Sequence, residues 1–359
     1  MTHPILKPMP GILEIAPYQG GAAHADGVAK VYKLSSNENP LGPSQDAISA
    51  AREAAATLEL YPDGGHLALR EAIAEIHGIE PHRVACGSGS DEIIAMLCKC
   101  YAGPGDEVLH SAHGFLMYKI YSLGAGATPV SAREADLTTD IDAMIGAMNE
   151  RTRLVFIANP NSPTGTMVGL DEIVRLADAL PPRAMLVIDG AYAEYVSDYD
   201  GGIELVRARD NVVMTRTFSK VYGLGALRLG WCYAPDHVID VLNRVRGPFN
   251  VTAPALAAGE AAVRDQDWVA HCVAENAVWR DWVTAELTRL NIPVTPSHGN
   301  FVLAEIGERV AACDQHLKSR GVLVRRMDGY GLPRHLRISI GDEAGCRALI
   351  DGIRDWIVA

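Results

Sequence analysis

Between about residue 33 and residue 245, short apolar runs alternate with stretches of helical periodicity. Three of these runs, at 153–158, 185–188 and 212–215, are apolar along almost their whole length, which is typical of strands buried on both faces. Helical patterns lie at 44–56, 67–77, 91–101 and 171–179. The alternation predicts an α/β fold with a mostly parallel central sheet that is covered by helices on both faces.

Each of the three apolar runs leads into side chains that can do chemistry. The first is followed by Asn-Pro-Asn-Ser-Pro-Thr-Gly at 159–165, the second by Asp189 and Tyr192, and the third by Thr-Phe-Ser-Lys at 217–220. In open α/β sheets, ligands bind outside the carboxyl ends of the strands. The sequence therefore predicts that an amide, a carboxylate, a phenol and an amine meet at one edge of the sheet.

Lys220 is one of seven lysines in the chain, and it lies directly after Ser219 and eight residues before Arg228. A lysine amine can form an imine with an aldehyde when burial or a neighbouring cation lowers its pKa. A serine hydroxyl and an arginine fork can hold a phosphate. An aldehyde that carries a phosphate is pyridoxal 5'-phosphate (PLP). We therefore predict that Lys220 holds PLP and moves the substrate's proton, with Ser219 and Arg228 at the phosphate.

Two further segments fit the same cofactor. Gly-Ser-Gly-Ser-Asp at 87–91 precedes a helical pattern, and the amides at a helix N-terminus favour an anion. This segment places Gly89, Ser90 and Asp91 at the cofactor phosphate. Asp189 is the candidate that keeps the pyridine nitrogen protonated, so that the ring acts as an electron sink.

The segments around Asn161, Asp189 and Lys220 resemble the fold-type-I PLP-dependent aminotransferases. Three further motifs are similar to the histidinol-phosphate aminotransferase branch of that family: Ser-Asn-Glu-Asn-Pro-Leu-Gly-Pro at 36–43, Tyr-Pro-Asp at 61–63 and His-Leu-Arg-Ile-Ser-Ile-Gly at 335–341. The resemblance covers nearly the whole chain. It implies the fold-type-I PLP-dependent transferase fold, with a large domain and a smaller α+β domain, PLP as the cofactor, and a homodimer with shared active sites.

Other cofactor contacts are suggested by the chemistry of PLP and by the resemblance. Tyr192 and Asn161 are candidates for hydrogen bonds to the cofactor's phenolic oxygen. The family commonly has Asn before Pro-Thr-Gly, whereas this chain has Ser162 there, so either Asn161 or Ser162 makes this contact. The resemblance also implies that Phe115 stacks on the cofactor ring and that Tyr61 reaches the cofactor phosphate from the neighbouring subunit.

Arginines are the candidates for the substrate. Arg337 lies in a strand pattern, where a buried guanidinium needs an anionic partner, and the resemblance implies that it binds the substrate's anionic group. Arg325 is the expected second contact, with Arg326 as the alternative. Tyr18 resembles the phenol that closes over the substrate, and we place Asn39 near the mouth of the site.

The resemblance implies transamination between histidinol phosphate and 2-oxoglutarate, which gives imidazole-acetol phosphate and glutamate in histidine biosynthesis. One alternative is an aromatic amino-acid aminotransferase, since the same arginine can take a carboxylate or a phosphate. A second is a PLP-dependent amino-acid-phosphate decarboxylase. A third is a catalytically silent binding protein on the same scaffold, against which the intact Lys220 and Asp189 argue.

Composition argues against several classes of protein. A net charge of −12 disfavours nucleic-acid binding, which needs clustered Lys and Arg. No apolar run approaches the roughly 20 residues of a membrane helix, and the proline-rich N-terminus lacks the apolar core of a signal peptide. We therefore expect a cytoplasmic protein. Seven scattered cysteines indicate thiols rather than a metal site or disulfides.

Three regions are predicted along the chain. Residues 1–32 are rich in Pro, Gly and Ala and predict an arm that packs on the small domain or on a partner subunit. Residues 33–250 form the large PLP-binding domain. Residues 251–359 begin with a long helical stretch, broken near 265–267, and continue as the small domain. Its predicted elements are strands at 300–304, 322–324 and 336–340, a helix at 309–319 and a last helix.

Overall fold

A computed structural model of the chain describes residues 7–18, 20–22, 24 and 27–358. The predicted N-terminal arm is thus described only in part, because positions 1–6, 19, 23, 25 and 26 lie outside the described residues.

The α-helices are α1 (Gln45–Ala54), α2 (Leu67–His77), α3 (Ser90–Tyr101), α4 (Leu116–Gly124), α5 (Ile141–Ala147), α6 (Leu170–Asp178), α7 (Ile203–Ala208), α8 (Asp236–Val245), α9 (Ala253–Arg264), α10 (Gln266–Arg289), α11 (Val310–Ser319) and α12 (Glu343–Val358). The strands are β1 (Tyr32–Lys33), β2 (Val84–Gly87), β3 (Glu107–Ser111), β4 (Thr128–Ala132), β5 (Glu134–Ala135), β6 (Thr138–Thr139), β7 (Thr152–Ala158), β8 (Met185–Asp189), β9 (Val212–Thr217), β10 (Gly230–Tyr233), β11 (Val294–Thr295), β12 (Phe301–Glu305), β13 (Val322–Leu323), β14 (Arg325–Met327) and β15 (Leu332–Ser339).

The large sheet has seven strands in the order β2-β10-β9-β8-β7-β3-β4. Neighbouring strands run parallel except at β10, which is antiparallel to both β2 and β9. Successive side chains of β7 enter opposite cores: Val155 and Ile157 pack on one face, Leu154 and Phe156 on the other. This two-sided burial explains the continuous apolar runs and confirms the predicted α/β fold with a mostly parallel sheet.

The predicted break near residues 265–267 is the junction of α9 and α10. Asp265 follows the last residue of α9, and its side chain accepts a hydrogen bond from the amide of Trp268 at 3.1 Å. Thr252 begins α9 in the same way, accepting from the amide of Ala255 at 3.3 Å. Both side chains pair helix N-terminal amides that have no partner within the helix.

A second, antiparallel sheet has the order β11-β12-β15-β14 and packs against α10, α11 and α12 around its own apolar core. The chain between Tyr32 and Leu34 belongs to this region as well. β1 pairs in parallel with β13, and Leu34 is buried in the second core. The segment that precedes the large sheet therefore crosses to the second sheet, which brings residues 35–39 between the two.

All seven cysteines are free thiols, and Cys100 alone among them is not fully buried. In the part of the chain that the structure describes, no cluster of three or more His, Cys, Asp or Glu side chains is arranged for a metal ion. No described helix has both the length and the apolar character that crossing a membrane requires.

Candidate active site

The carboxyl ends of β7, β8 and β9 lie side by side and border a cavity of about 320 Å³. β15, the N-terminus of α3 and the described part of the arm complete its walls. Most of the side chains predicted for the site line this cavity: Tyr18, Ser90, Asp91, Phe115, Ser162, Asp189, Tyr192, Ser219, Lys220, Arg228, Arg325 and Arg337. The topology thus brings together residues that lie more than 300 positions apart in the sequence.

Lys220 lies on a turn that is tied to the end of β9. The fully buried Phe218 donates its amide to Leu229 O at 2.9 Å and accepts from the amide of Leu224 at 3.0 Å. These bonds hold the turn, and the Lys220 Nζ lies 5.5 Å from the centre of the Tyr192 ring. The amine therefore faces the cavity beside a phenol.

Asp189 is the last residue of β8 and is buried. Its Oδ2 accepts a hydrogen bond from Tyr118 Oη at 2.6 Å, and Thr215 Oγ1 lies 3.4 Å from Oδ1. Burial outweighs these hydrogen bonds and raises the pKa of Asp189 to about 6. A buried carboxylate in this state favours a cationic partner in the cavity.

Tyr118 is a site residue that the sequence analysis missed. It is buried in α4, its ring stacks on Phe156 with a centroid distance of 4.6 Å, and its hydroxyl orients Asp189. The available signal was its position three residues after Phe115, which puts both side chains near the same face of a helix. Phe115 itself immediately precedes α4 and meets Tyr118 edge-on at 5.7 Å.

The N-terminus of α3 forms one anion site. The residue before the helix is Gly89, which supplies no side-chain cap, so the first amides of α3 have no such partner. Gly89 has a φ of 82°, and a Cβ there would lie 2.7 Å from Arg228 Nη2. Glycine suits this position because the backbone is left-handed and the Arg228 guanidinium lies where a Cβ would be.

Arg228 connects this anion site to the lysine turn. It donates to Ser219 Oγ at 3.2 Å and to Asp91 Oδ2 at 2.9 Å. The cation, the serine hydroxyl and the helix amides therefore converge, an arrangement that suits a phosphate.

Arg337 forms a second anion site on β15. It is only 6% exposed, and it donates to Ser35 O at 3.1 Å and to Ser162 Oγ at 3.4 Å, while its Nε has no partner among the described residues. Burial lowers the pKa of Arg337. Among the described residues no carboxylate forms an ion pair with it, so a buried guanidinium is left to bind an anion from the cavity.

Arg325, rather than Arg326, lines the cavity. The Arg325 guanidinium lies 5.2 Å from the centre of the Tyr18 ring, which is half exposed at the mouth. Arg326 is paired with Asp328 at 2.7 Å and is not among the residues that line this cavity.

Four predicted residues are not part of this cavity wall: Gly89, which precedes α3, and Asn161, Asn39 and Tyr61. Asn161 is held within its turn, where its Nδ2 donates to Thr164 Oγ1 at 2.9 Å, and the next residue, Ser162, faces the cavity instead. Asn39 lines a separate cavity of about 210 Å³, because its Nδ2 donates to Val221 O at 2.7 Å. Tyr61 is 82% exposed and stacks on Phe249 at the surface.

Asn37, which the sequence analysis did not single out, is a partner of Tyr192. Its Nδ2 donates a hydrogen bond to the phenolic oxygen of Tyr192 at 2.8 Å. Burial acts to raise the pKa of Tyr192, but Lys220 and Arg337, with hydrogen bonds from Asn37 and Ser162, lower it overall. Asn37 lies two residues before Asn39, within the family-like motif at 36–43, so that motif indicated the right segment.

These features fit PLP. Asp189, a buried carboxylate with no ion-pair partner among the described residues, can pair with the pyridine nitrogen. The helix amides with Ser219 and Arg228 can hold the phosphate. Lys220 lines the same cavity, and Arg337 is left for a substrate anion.

Comparison with known proteins agrees with this geometry. Residues 29–353 match the model of the family "Aminotransferase class I and II". Histidinol-phosphate aminotransferases from Dinoroseobacter shibae and Ruegeria sp. are 59% and 58% identical to this chain, over 97% and 98% of both sequences. A crystal structure of histidinol-phosphate aminotransferase from Sinorhizobium meliloti in complex with pyridoxal-5'-phosphate superimposes with a TM-score of 0.86 at 27% identity, covering 92% of each chain. The chain therefore belongs to the class I and II aminotransferases and, as predicted, to their histidinol-phosphate aminotransferase branch.

Proposed function

We propose that this aminotransferase uses PLP to transfer the amino group of histidinol phosphate to 2-oxoglutarate, giving imidazole-acetol phosphate and glutamate. The observation that carries the proposal is a single cavity with two separate anion sites, one at α3 and Arg228 and one at Arg337. The first would hold the phosphate of the cofactor. The second is left for an anionic substrate, and the names of the relatives indicate which one.

The cofactor would be held by residues on both sides of the cavity. Lys220 would bind its aldehyde carbon, Asp189 its pyridine nitrogen, and Ser219, Arg228 and the Gly89–Asp91 backbone its phosphate. Phe115 would cover the ring. Tyr192 and Ser162 would contact the phenolic oxygen, since Ser162, not Asn161, faces the cavity. When bound, PLP supplies an electron sink next to the substrate's α-carbon.

The protein's own groups would then handle charge and protons. Arg337 and Arg325 would bind the substrate's anionic group and orient its α-carbon toward Lys220. Lys220 would act as general base and acid for the proton on the substrate's α-carbon. Asp189 would keep its negative charge because a cation replaces the water that burial removes.

We expect kcat/KM with histidinol phosphate to exceed that with phenylalanine or tyrosine by about 100-fold or more. Arg337 and Arg325 line the cavity and would bond the phosphate of histidinol phosphate, and a site that hydrogen-bonds a substrate group rejects analogues that lack it. Steady-state kinetics with all three amino donors provide the measurement. Higher kcat/KM with the aromatic amino acids would favour an aromatic amino-acid aminotransferase.

Arg337→Lys should lower kcat/KM of both half-reactions by about 10- to 150-fold, since lysine loses the planar fork that binds an anion.

We also propose a homodimer with shared active sites, in which Tyr61 of each chain reaches the cofactor phosphate of its partner. The exposed Tyr61 and Phe249 pair supports this, because it offers an apolar surface next to a free phenol. The division into an arm at 1–32, a large domain at 33–250 and a small domain at 251–359 stays a prediction, as does the cytoplasmic location.

Mixed dimers test the sharing. Co-expressed Tyr61→Phe and Lys220→Ala chains should form dimers in which one site carries both changes and the other carries neither. Activity per purified mixed dimer is therefore expected to approach about half that of the wild type, because whole sites are lost or kept. Mixed dimers with only half the activity of an impaired Tyr61→Phe homodimer, as expected if each Tyr61 serves the site of its own chain, would contradict the sharing.

A further inference from the structure

Asn37 occupies an unusual position between the two sheets. It is 1% exposed and has a φ of 53°, a left-handed conformation that asparagine tolerates better than most residues. Asn300 Nδ2 donates to its carbonyl at 3.0 Å, and its amide N–H donates to Ser339 Oγ at 2.7 Å. The backbone at Asn37 is therefore anchored independently of its side chain.

The direction of each hydrogen bond at Asn37 follows from the groups present. A backbone N–H can only donate, so Ser339 Oγ accepts from it, and the serine's one proton is free for Asn37 Oδ1 at 3.0 Å. With Oδ1 facing Ser339, Asn37 Nδ2 must face Tyr192, where it donates to Oη at 2.8 Å. Tyr192 is thereby an acceptor on this side.

The other side of Tyr192 is fixed in the same way. A guanidinium can only donate, so Ser162 Oγ accepts from Arg337 Nη1 at 3.4 Å. The Ser162 proton is then free to turn toward Tyr192, and Ser162 and Asn37 both act to lower the pKa of that phenol. Because Tyr192 Oη accepts from Asn37, its own proton must point in another direction, and Tyr192 lines the cavity.

We propose that Asn37 is a positioning residue which, together with Ser162, directs the Tyr192 hydroxyl proton into the cavity, toward the phenolic oxygen of the cofactor. This inference rests on the proposed use of PLP. It gives Ser162 a function at the position where the family commonly has Asn: the serine hydroxyl links the substrate-binding Arg337 to the phenol that faces the cofactor. Asn37 acts through Tyr192 and touches neither substrate nor cofactor.

Asn37→Asp reverses the hydrogen bond, because a carboxylate accepts and draws the Tyr192 proton out of the cavity. In the apo-protein, the pKa of Tyr192 should rise, since a nearby carboxylate disfavours the phenolate. Ultraviolet titration of the apo-protein measures this, after subtraction of the titration of matching chains that also carry Tyr192→Phe. In the PLP-loaded enzyme, kcat should fall at least about fivefold, the effect of one hydrogen bond, with a smaller change in KM. Asn211→Asp, the same change outside the cavity, should alter neither quantity.

Three further variants keep the test decisive. Asn37→Gly tolerates the left-handed backbone and removes only the amide, so a smaller loss in kcat is expected. Ser339→Ala removes the hydrogen bond that orients the Asn37 side-chain amide, so that amide can flip. This variant should also lower kcat, and it tests the inference even if Asn37→Asp folds poorly. In a Tyr192→Phe background, Asn37→Asp should lower kcat little further.

An unchanged Tyr192 pKa in Asn37→Asp, or an equal loss in kcat with and without the Tyr192 hydroxyl, would overturn the inference. The apo-protein titration does not depend on the substrate. A shifted pKa in an enzyme that fails to use histidinol phosphate would therefore reject the proposed substrate and leave the role of Asn37 standing.

Discussion

Replacement of Lys220 by alanine is expected to abolish amino transfer while the fold survives. No other described lysine lines the cavity, so nothing can take over the covalent bond or the proton transfer. A loss of at least about 1,000-fold in kcat is typical when a nucleophile that is also the base is removed. The measurement is single-turnover transamination by the reconstituted variant, alongside the visible absorbance of bound PLP.

The exposed Lys99 provides the matched control. Lys99→Ala removes the same side chain at the end of α3, far along the helix from the anion site, and should keep both activity and absorbance. Circular dichroism of both variants should be unchanged. If a correctly folded Lys220→Ala enzyme kept more than about a hundredth of the turnover, the role of Lys220 would have to be given up.

Replacement of Asp189 by asparagine should lower turnover by about 100-fold or more, because breaking a buried charge pair is costly. Asparagine keeps the size of the side chain and can still accept from Tyr118, so the variant removes the charge and little else. PLP should bind more weakly, which equilibrium dialysis can measure. Tyr118→Phe should show a smaller loss of turnover and of PLP affinity.

The apo-protein gives an independent readout for Asp189. Burial raises its pKa from 3.8 to about 6, so the folded state binds this proton more tightly than the unfolded state does. The contribution of this proton to the free energy of unfolding is full below pH 3.8 and is lost as the pH rises through about 6. Denaturant titrations of the apo-protein should show this loss for the wild type and not for Asp189→Asn. Turnover of Asp189→Asn equal to that of the wild type at full PLP occupancy would exclude the carboxylate from the reaction.

The amino-acid sequence alone determined the central sheet and much of the cavity wall. Strands buried on both faces are apolar throughout, so β7, β8 and β9 could be recognised from local composition. The residues after their carboxyl ends then had to meet at one edge. This local rule was enough to place Asp189, Tyr192, Ser219 and Lys220 together.

Tertiary structure decided which neighbouring side chain faces the cavity. Asn161 and Ser162 are adjacent in one turn, as are Arg325 and Arg326 along one strand, and the sequence offers each pair as equals. Ser162 faces inward because Thr164 holds Asn161 within the turn, and Arg326 is paired with Asp328 instead of lining the cavity.

The partners of Tyr192 and Asp189 also depended on the packed chain. Asn37 reaches Tyr192 because Leu34 is buried in the second core and β1 pairs with β13, which carries the following residues across the cavity. Tyr118 reaches Asp189 because its ring stacks on Phe156 of β7. Such contacts join residues 71 and 155 positions apart. Periodicity reports only what a segment does with its own neighbours, so these contacts became visible only when the elements were packed together.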